Sequence, residues 1–186
     1  MRRKLVAGNW KMHGSSASSR ELVAQLAKAL PTSVDVAVIP PYPFIAGLVA
    51  ANPGTALAFG AQDLSEHAQG AYTGEVSGEM LRDIGCRYVL VGHSERRQYH
   101  AETNEQVARK FVAAQAAGLA PILCVGELLE HREAGLTEAI VALRGVASRD
   151  VNSFTTITNV TAGDGMLKVG PLMPVAPKSD VEVDAL

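Results

Sequence analysis

The chain has 186 residues, of which 47% are hydrophobic, and its formal net charge is -2. This length supports one good hydrophobic core and is too short for two sizeable domains. The two signs of charge are mixed along the chain, which gives no basic stripe for nucleic acid and no acidic tail. No stretch approaches the ~18 apolar residues that a membrane helix needs. We therefore expect a soluble protein with neither a nucleic-acid nor a membrane partner.

The N-terminus and the cysteines indicate a cellular compartment. Residues 2–4 resemble the basic start of a signal peptide, but Asn9 and Lys11 interrupt the apolar run that follows. Two cysteines, Cys86 and Cys124, lie inside apolar stretches. Without a secretory signal they predict buried thiols rather than a disulfide. We expect a cytoplasmic location.

Short apolar runs alternate with amphipathic segments from the N-terminus, as is typical of parallel strands covered by helices. Five such pairs precede residue 146: "KLVAGNW" with "SSRELVAQLAKAL", "VDVAVIP" with "PFIAGLVAAN", "ALAFGAQDL" with "GEVSGEMLRDIG", "YVLVGH" with "TNEQVARKFVAAQAAG", and "APILCVGE" with a helix ending near "EAIVALRG". The strands are apolar nearly throughout, so both faces of the sheet should be covered. The pattern predicts an α/β domain of about five parallel strand-helix units over residues 1–145.

Local signals mark the ends of some of these helices. Ser18 and Glu21 have capping-box spacing at the start of the first helix, and Thr103 and Gln106 have it at the fourth. Gly85 follows the third helix, where a left-handed glycine commonly ends the hydrogen-bonded turns. These positions predict where the helices begin and stop.

The pattern changes after residue 145. Residues 146–186 have no helical period and are rich in Thr, Val, Pro and Gly. The runs "FTTITNV" and "MLKVG" favour short strands, whereas Pro171, Pro174 and Pro177 limit regular pairing beyond them. We predict an irregular tail over residues 146–186.

Polar side chains follow the ends of the predicted strands. They are Asn9 and Lys11 after the first strand, Gln62 and Asp63 after the third, His93 and Glu95 after the fourth, and Glu127 after the fifth. The loops that follow parallel strands converge at one end of the sheet, where helix N-termini also direct free N–H groups inward. A cation, amides, an imidazole and carboxylates at one rim indicate a site for an anionic or carbonyl substrate. The sequence contains no metal-ligand spacing and no glycine pattern of a nucleotide loop.

Four segments carry a resemblance to a known family: "AGNWKM" at 7–12, "GAYTGEVS" at 70–77, "VLVGHSERR" at 89–97 and "ILCVGE" at 122–127. In order and spacing they closely resemble the signature segments of the triosephosphate isomerase family, over about residues 3–145. The resemblance implies a TIM (β/α) barrel, here incomplete. It also implies the interconversion of dihydroxyacetone phosphate and D-glyceraldehyde 3-phosphate through an enediolate, in glycolysis and gluconeogenesis, with no cofactor and no metal.

The resemblance implies a role for each matching residue. His93 polarises the carbonyl and moves protons between the two substrate oxygens; a neutral imidazole there is an established property of the family and is not inferred from this sequence. Lys11 lies beside the substrate phosphate and the developing oxyanion, and Asn9 helps to bind the substrate. Glu95 interacts with the lysine. His93, Lys11 and Glu95 are thus the expected catalytic residues.

The resemblance also implies an assembly. Tyr72, Thr73, Gly74 and Glu75 match the loop that, in the family, inserts into the partner subunit and supports its active site. A homodimer is therefore expected.

The family also has a sixth-strand segment that carries a glutamate base and a mobile lid, followed by glycine-rich phosphate loops. Residues 146–186 contain no counterpart. A positioned base contributes ~10²- to 10⁴-fold, so the sequence predicts a truncated product that is weakly active or inactive. Two alternatives stay open: a non-catalytic fragment that associates with a full-length isomerase subunit, and an enzyme in which a tail carboxylate serves as the base.

Overall fold

The computed structural model describes residues 4–125, 133–135, 160–163 and 166–169. Its main sheet contains β1 (Lys4–Asn9), β2 (Val34–Ile39), β3 (Ala58–Ala61), β4 (Tyr88–Val91) and β5 (Ala120–Leu123), in that spatial order. Each neighbouring pair is parallel. The predicted five parallel strands are confirmed, and their consecutive order is that of the first five strands of an eight-stranded (β/α) barrel.

Helices connect consecutive strands as the sequence pattern predicts. They are α1 (Ser16–Lys28), α2 (Tyr42–Ala51), α3 (Gly78–Asp83), α4 (Ser94–Tyr99) and α5 (Asn104–Ala116). The fourth connection holds both α4 and α5, and the helix predicted near residues 138–145 lies outside the described residues. In the described ranges the longest helices, α1 and α5, have 13 residues each, and none is long and apolar enough to cross a membrane.

The helix ends follow the local signals with one correction. Thr103 and Gln106 form the predicted capping box of α5, and Gly85 adopts a left-handed φ of 92° after α3. For α1 the predicted pair is wrong, because Ser15 is the N-cap and Ser18 is the third helical residue. The serine-rich start of this helix offers several candidate caps, and spacing alone does not rank them.

Apolar side chains cover both faces of the sheet, and β4 shows how. Its four residues are all buried. Val89 and Val91 pack against Leu81 and other side chains of the helices. Tyr88 and Leu90 point the other way and pack with residues of β1, β2 and β5, namely Ala7, Ala37, Ile39 and Ile122. Burial of each large aliphatic side chain contributes about 1.5–3 kcal/mol, so these two layers fix the strand ends that carry the site.

Two glycines give a direct test of this packing. Gly60 in β3 pairs with Tyr88, and a Cβ added there would lie 2.9 Å from the carbonyl oxygen of Tyr88. We expect Gly60→Ala to lower the free energy of unfolding by about 1–3 kcal/mol, as overpacking does elsewhere. Gly47 lies within α2, and a Cβ added there would meet nothing within 4 Å beyond its own helix backbone. Gly47→Ala should stabilise the helix by about 0.5–1 kcal/mol. Urea denaturation measures both, and the same sign for both variants would contradict the packing described.

Part of the C-terminal segment is also described. Strands β6 (Val160–Gly163) and β7 (Met166–Val169) pair antiparallel, with Val160 opposite Val169 and Gly163 opposite Met166. This agrees with the strand predicted at "MLKVG", whereas only the last residue of "FTTITNV" falls within β6. The predicted boundary between residues 1–145 and 146–186, and the three prolines of the tail, lie outside the described residues.

Candidate active site

The loop after β1 presents Lys11 in an uncommon backbone conformation. The φ of Lys11 is 50°, in the left-handed region that few residues other than glycine adopt. The side chain of Asn9 accepts the backbone N–H of Lys11 at 2.9 Å. The side-chain amide of Gln62 donates to the carbonyl oxygens of Lys11 at 2.8 Å and of Ile39 at 3.0 Å. These hydrogen bonds hold the loop in a conformation that its sequence alone disfavours.

Lys11 reaches across the sheet to the loop after β4. Its Nζ lies 2.8 Å from Oε1 of Glu95, which is 84 residues away in the sequence. The two side chains are 33% and 43% exposed, respectively. A pair this accessible stabilises the fold by no more than about 1 kcal/mol. Its main effect is therefore to orient the ammonium group at the rim.

His93 is the last residue before α4 and caps that helix. It is only 8% exposed, because β4 ends directly before it in the core. Its Nδ1 accepts the backbone N–H of Glu95 at 3.2 Å. An accepting Nδ1 carries no proton, so the neutral ring has its hydrogen on Nε2; this tautomer is assigned from the hydrogen bond. A short helix, α4, begins with the residue that follows His93.

Burial controls the charge of this histidine. Desolvation lowers the pKa of His93 below its ordinary value of 6.5, Glu95 opposes the shift, and Lys11 adds to it. The opposing carboxylate is close, with its Oε2 at 3.6 Å from Nδ1. Because desolvation dominates, the imidazole is neutral at pH 7 and is a hydrogen-bond donor through Nε2.

We expect a titration followed by the ¹⁵N resonances of the histidine rings to give His93 a pKa below 6.5. A group whose pKa is depressed on folding stabilises the fold above its unfolded pKa, and this contribution is lost as the pH falls. The stability due to His93 should therefore decrease below pH ~6.5. His93→Gln identifies the resonance and removes this part of the pH dependence. A His93 pKa above 6.5 would contradict the assignment of a neutral ring.

A second group of charged residues, three of them buried, links the end of β3 to α4 and α5. Nζ of Lys110, on α5, lies 2.8 and 2.7 Å from the two carboxylate oxygens of Asp63. Lys110 also bonds Oε1 of Glu102. Arg96, on α4, places Nε 2.9 Å from Oδ2 of Asp63 and 3.3 Å from Oε1 of Glu102. We call these four residues the charge cluster; of them, the sequence indicated only Asp63, as a polar residue at a strand end.

The segment Tyr72–Glu75 is exposed. The ring of Tyr72 is stacked on His67 at a centroid distance of 3.9 Å. Gly74 adopts a left-handed φ of 92° at the tip. The loop borders a polar cleft of about 500 Å³ that is also lined by Arg96 of the charge cluster. Its role in an interface stays a prediction.

The cysteines occupy the core. Cys86 and Cys124 are both free and buried, as predicted. Burial raises the pKa of Cys86 to about 11 and that of Cys124 to about 12. Both thiols are thus protonated and poor nucleophiles at neutral pH.

The structure thus brings together the four predicted site residues Asn9, Lys11, His93 and Glu95. Their chemical roles stay predictions, and Glu127 lies outside the described residues. Gln62, which supports the Lys11 loop from the end of β3, had no predicted role. Its position at a strand end was the signal available in the sequence.

Known proteins match the chain along the same residues. The family model described as triosephosphate isomerase matches residues 4–160. The chain belongs to the triosephosphate isomerase family. A triosephosphate isomerase of Stenotrophomonas maltophilia is 62% identical over 143 residues, and one of Xanthomonas campestris is 61% identical over 142 residues. In both comparisons the match covers 76% of this chain and 57% of the relative.

Membership of the triosephosphate isomerase family confirms the resemblance found in the four sequence segments and the (β/α)-barrel architecture. The matched region contains every one of the four site residues. The chain spans about 57% of the length of these curated relatives.

Proposed function

We propose that the chain acts in the interconversion of dihydroxyacetone phosphate and D-glyceraldehyde 3-phosphate. The observation that carries this proposal is the arrangement of Lys11, His93 and Glu95. In a member of this family, a buried neutral imidazole lies beside an ammonium–carboxylate pair at the ends of β1 and β4. This pairing of a cation with an uncharged donor suits a substrate that carries both a phosphate and a carbonyl group.

We assign substrate binding to the polar residues at the strand ends. The ammonium group of Lys11 attracts the phosphate and the negative charge that develops on the substrate oxygen. Its partner Glu95 keeps the ammonium in place without burying it. Asn9, held by its bond to the backbone of Lys11, supplies an amide next to the same position. The net effect is a preorganised electrostatic site, which is commonly the largest single contribution to catalysis.

We assign polarisation of the substrate carbonyl group to His93. When a base removes the proton from the carbon next to the carbonyl, the electron pair moves to the carbonyl oxygen and an enediolate forms. The Nε2–H of a neutral imidazole can donate to that oxygen, and the family's electrophile is established as neutral. The hydrogen bond from the backbone N–H of Glu95 to Nδ1 keeps the ring in the required tautomer.

The reaction also needs the base itself. Glu95 is the carboxylate beside His93, and it is already paired with Lys11. We therefore assign Glu95 to orientation of the lysine and assign the base to none of the described residues.

The test is isomerisation of dihydroxyacetone phosphate by the purified 186-residue chain, produced in a host whose own isomerase gene is deleted. We expect a rate above background that His93→Gln abolishes while the fold is retained. His100→Gln is the matched control, because His100 is exposed after α4. No rate from a folded, monodisperse chain would refute catalysis by this chain alone.

We also infer that the chain forms a homodimer through Tyr72–Glu75. Support comes from the exposure of this loop and from the polar cleft beside it. Sedimentation should reveal a dimer that Thr73→Arg dissociates, whereas Thr55→Arg, in a separate loop, should leave it intact. Sedimentation as a monomer at all concentrations would refute the dimer.

We infer a cytoplasmic location, which two free, buried thiols suit.

A further inference from the structure

Helix α4 is short, yet it positions two residues of the candidate site. It has six residues, none of which is buried. Yet His93 is its N-cap, and Glu95 lies in its first turn. Apolar packing normally supplies most of the stability of a protein helix. A helix this short and this exposed must instead be held by polar contacts, so the position of the imidazole depends on them.

Arg96 is the member of the charge cluster that lies on α4. Its Nε donates to Glu102 in the turn before α5 and forms an ion pair with Asp63 at the end of β3. The backbone N–H of Glu102 also donates to the carbonyl oxygen of Arg96 at 3.4 Å. One side chain therefore ties α4 to two neighbouring elements of the fold.

The other members of the charge cluster, Asp63, Glu102 and Lys110, are buried beside Arg96. Asp63 is 7% exposed, Glu102 7% and Lys110 8%. Two carboxylates and two cations balance in charge, and Lys110 bonds both carboxylates. Charge-assisted hydrogen bonds of this kind are about twice as strong as neutral ones. Lys110 therefore holds both carboxylates in place beside Arg96.

Arg97, the next residue, makes a different set of contacts. Its Nε donates to the carbonyl oxygen of Gly92 at 2.8 Å, and its Nη1 donates to the side chain of Asn104 at 2.7 Å. Gly92 follows β4, and Asn104 is the first residue of α5. Arg97 therefore tightens the loop around His93, whereas Arg96 links that loop to β3.

We propose that Arg96 is a positioning residue for His93: paired with Asp63 and Glu102, both of which Lys110 also binds, it fixes α4 so that the backbone N–H of Glu95 meets Nδ1 of the imidazole. The catalytic meaning of this role rests on the proposed function. Its structural content does not, because it concerns the tautomer and environment of one ring.

The experiment observes that ring directly, by ¹⁵N resonances of the histidine side chains in the full chain. Arg96→Met keeps an unbranched apolar stem and removes the guanidinium group with its charge. We expect the His93 signals to move from a single Nε2–H tautomer toward a tautomer average, and its pKa to rise toward 6.5. Arg96→Lys retains a cation that reaches Asp63 and should restore most of the native signal.

Arg109→Met is the matched control. Arg109 is on α5 next to Lys110, pairs with Glu66 and is 55% exposed in its side chain. Its loss should leave the His93 signals unchanged. Native His93 signals in a folded Arg96→Met variant would overturn the proposal, and so would an equal change in Arg109→Met.

The test also covers the case in which Arg96→Met fails to fold. Arg96→Met with Glu102→Gln removes one cation and one anion, so the charge cluster stays balanced, and it is measured in the same way. If both the single and the double variant unfold, Arg96 is a general structural requirement and the positioning role is refuted. The readout needs no turnover. Displaced His93 signals in an inactive chain would support this inference while the proposed function fails.

Discussion

Under the proposed function, Lys11→Met should lower the isomerisation rate by about 10²- to 10³-fold, the range found when one preorganised electrostatic group is removed from an active site. The fold should change little. The Lys11–Glu95 pair is partly exposed, and removal of such a pair typically costs less than about 1 kcal/mol. The left-handed φ at position 11 disfavours Met as it disfavours Lys, so backbone strain is not altered by the substitution.

The same variant has a readout that does not depend on turnover. Lys11 contributes to lowering the pKa of His93, and Glu95 acts to raise it. Loss of the ammonium group should therefore raise the His93 pKa, as followed by ¹⁵N resonances. Lys28→Met, in the exposed last turn of α1, is the control and should alter neither quantity. A His93 pKa that falls in Lys11→Met would refute the electrostatic account of this site.

The sequence is informative about this rim because two independent patterns coincide there. Strand periodicity places the polar residues after β1 and β4 at strand ends, and parallel topology brings those ends together. The family resemblance then selects Asn9, Lys11, His93 and Glu95 from the polar residues available. The salt bridge between positions 11 and 95 needs both patterns, since 84 residues separate the partners.

The supporting contacts could not be predicted in the same way. Gln62 was recognised at a strand end, but its bonds to two backbone carbonyls depend on the path of the loop after β1. Lys110 is a harder case. It lies on α5, where a lysine is normally exposed, and only the positions of Asp63 and Glu102 make its burial favourable. Long-range pairing of buried charges leaves no local signal in the sequence.

The burial of Lys110 leads to a second prediction with a large effect, on stability. Lys110→Met should lower the free energy of unfolding by about 3–5 kcal/mol, because removal of one partner leaves buried charge uncompensated. Asp63 and Glu102 would then share only Arg96 as a cation. Such a loss is a large part of the roughly 5–15 kcal/mol that stabilises a typical domain. Urea denaturation at neutral pH measures it.

The pH dependence of this loss has a definite sign. Burial already raises the pKa of Asp63 above its ordinary value of 3.8, and Lys110 opposes that shift. Without Lys110 the pKa should rise further. A group with a raised folded-state pKa loses its stabilising contribution as the pH increases through that value. The deficit of Lys110→Met relative to the native chain should therefore be smaller near pH ~4 than at pH ~7 and above.

Charge balance separates this electrostatic explanation from simple loss of packing. In Lys110→Met with Asp63→Asn, one cation and one anion are removed together, leaving Arg96 to pair with Glu102. We expect the double variant to recover much of the lost stability and to lose the added pH dependence. Arg109→Met removes an exposed cation one residue away and should leave the denaturation midpoint near the native value. A double variant as unstable as Lys110→Met, with no change between acidic and neutral pH, would refute the electrostatic explanation.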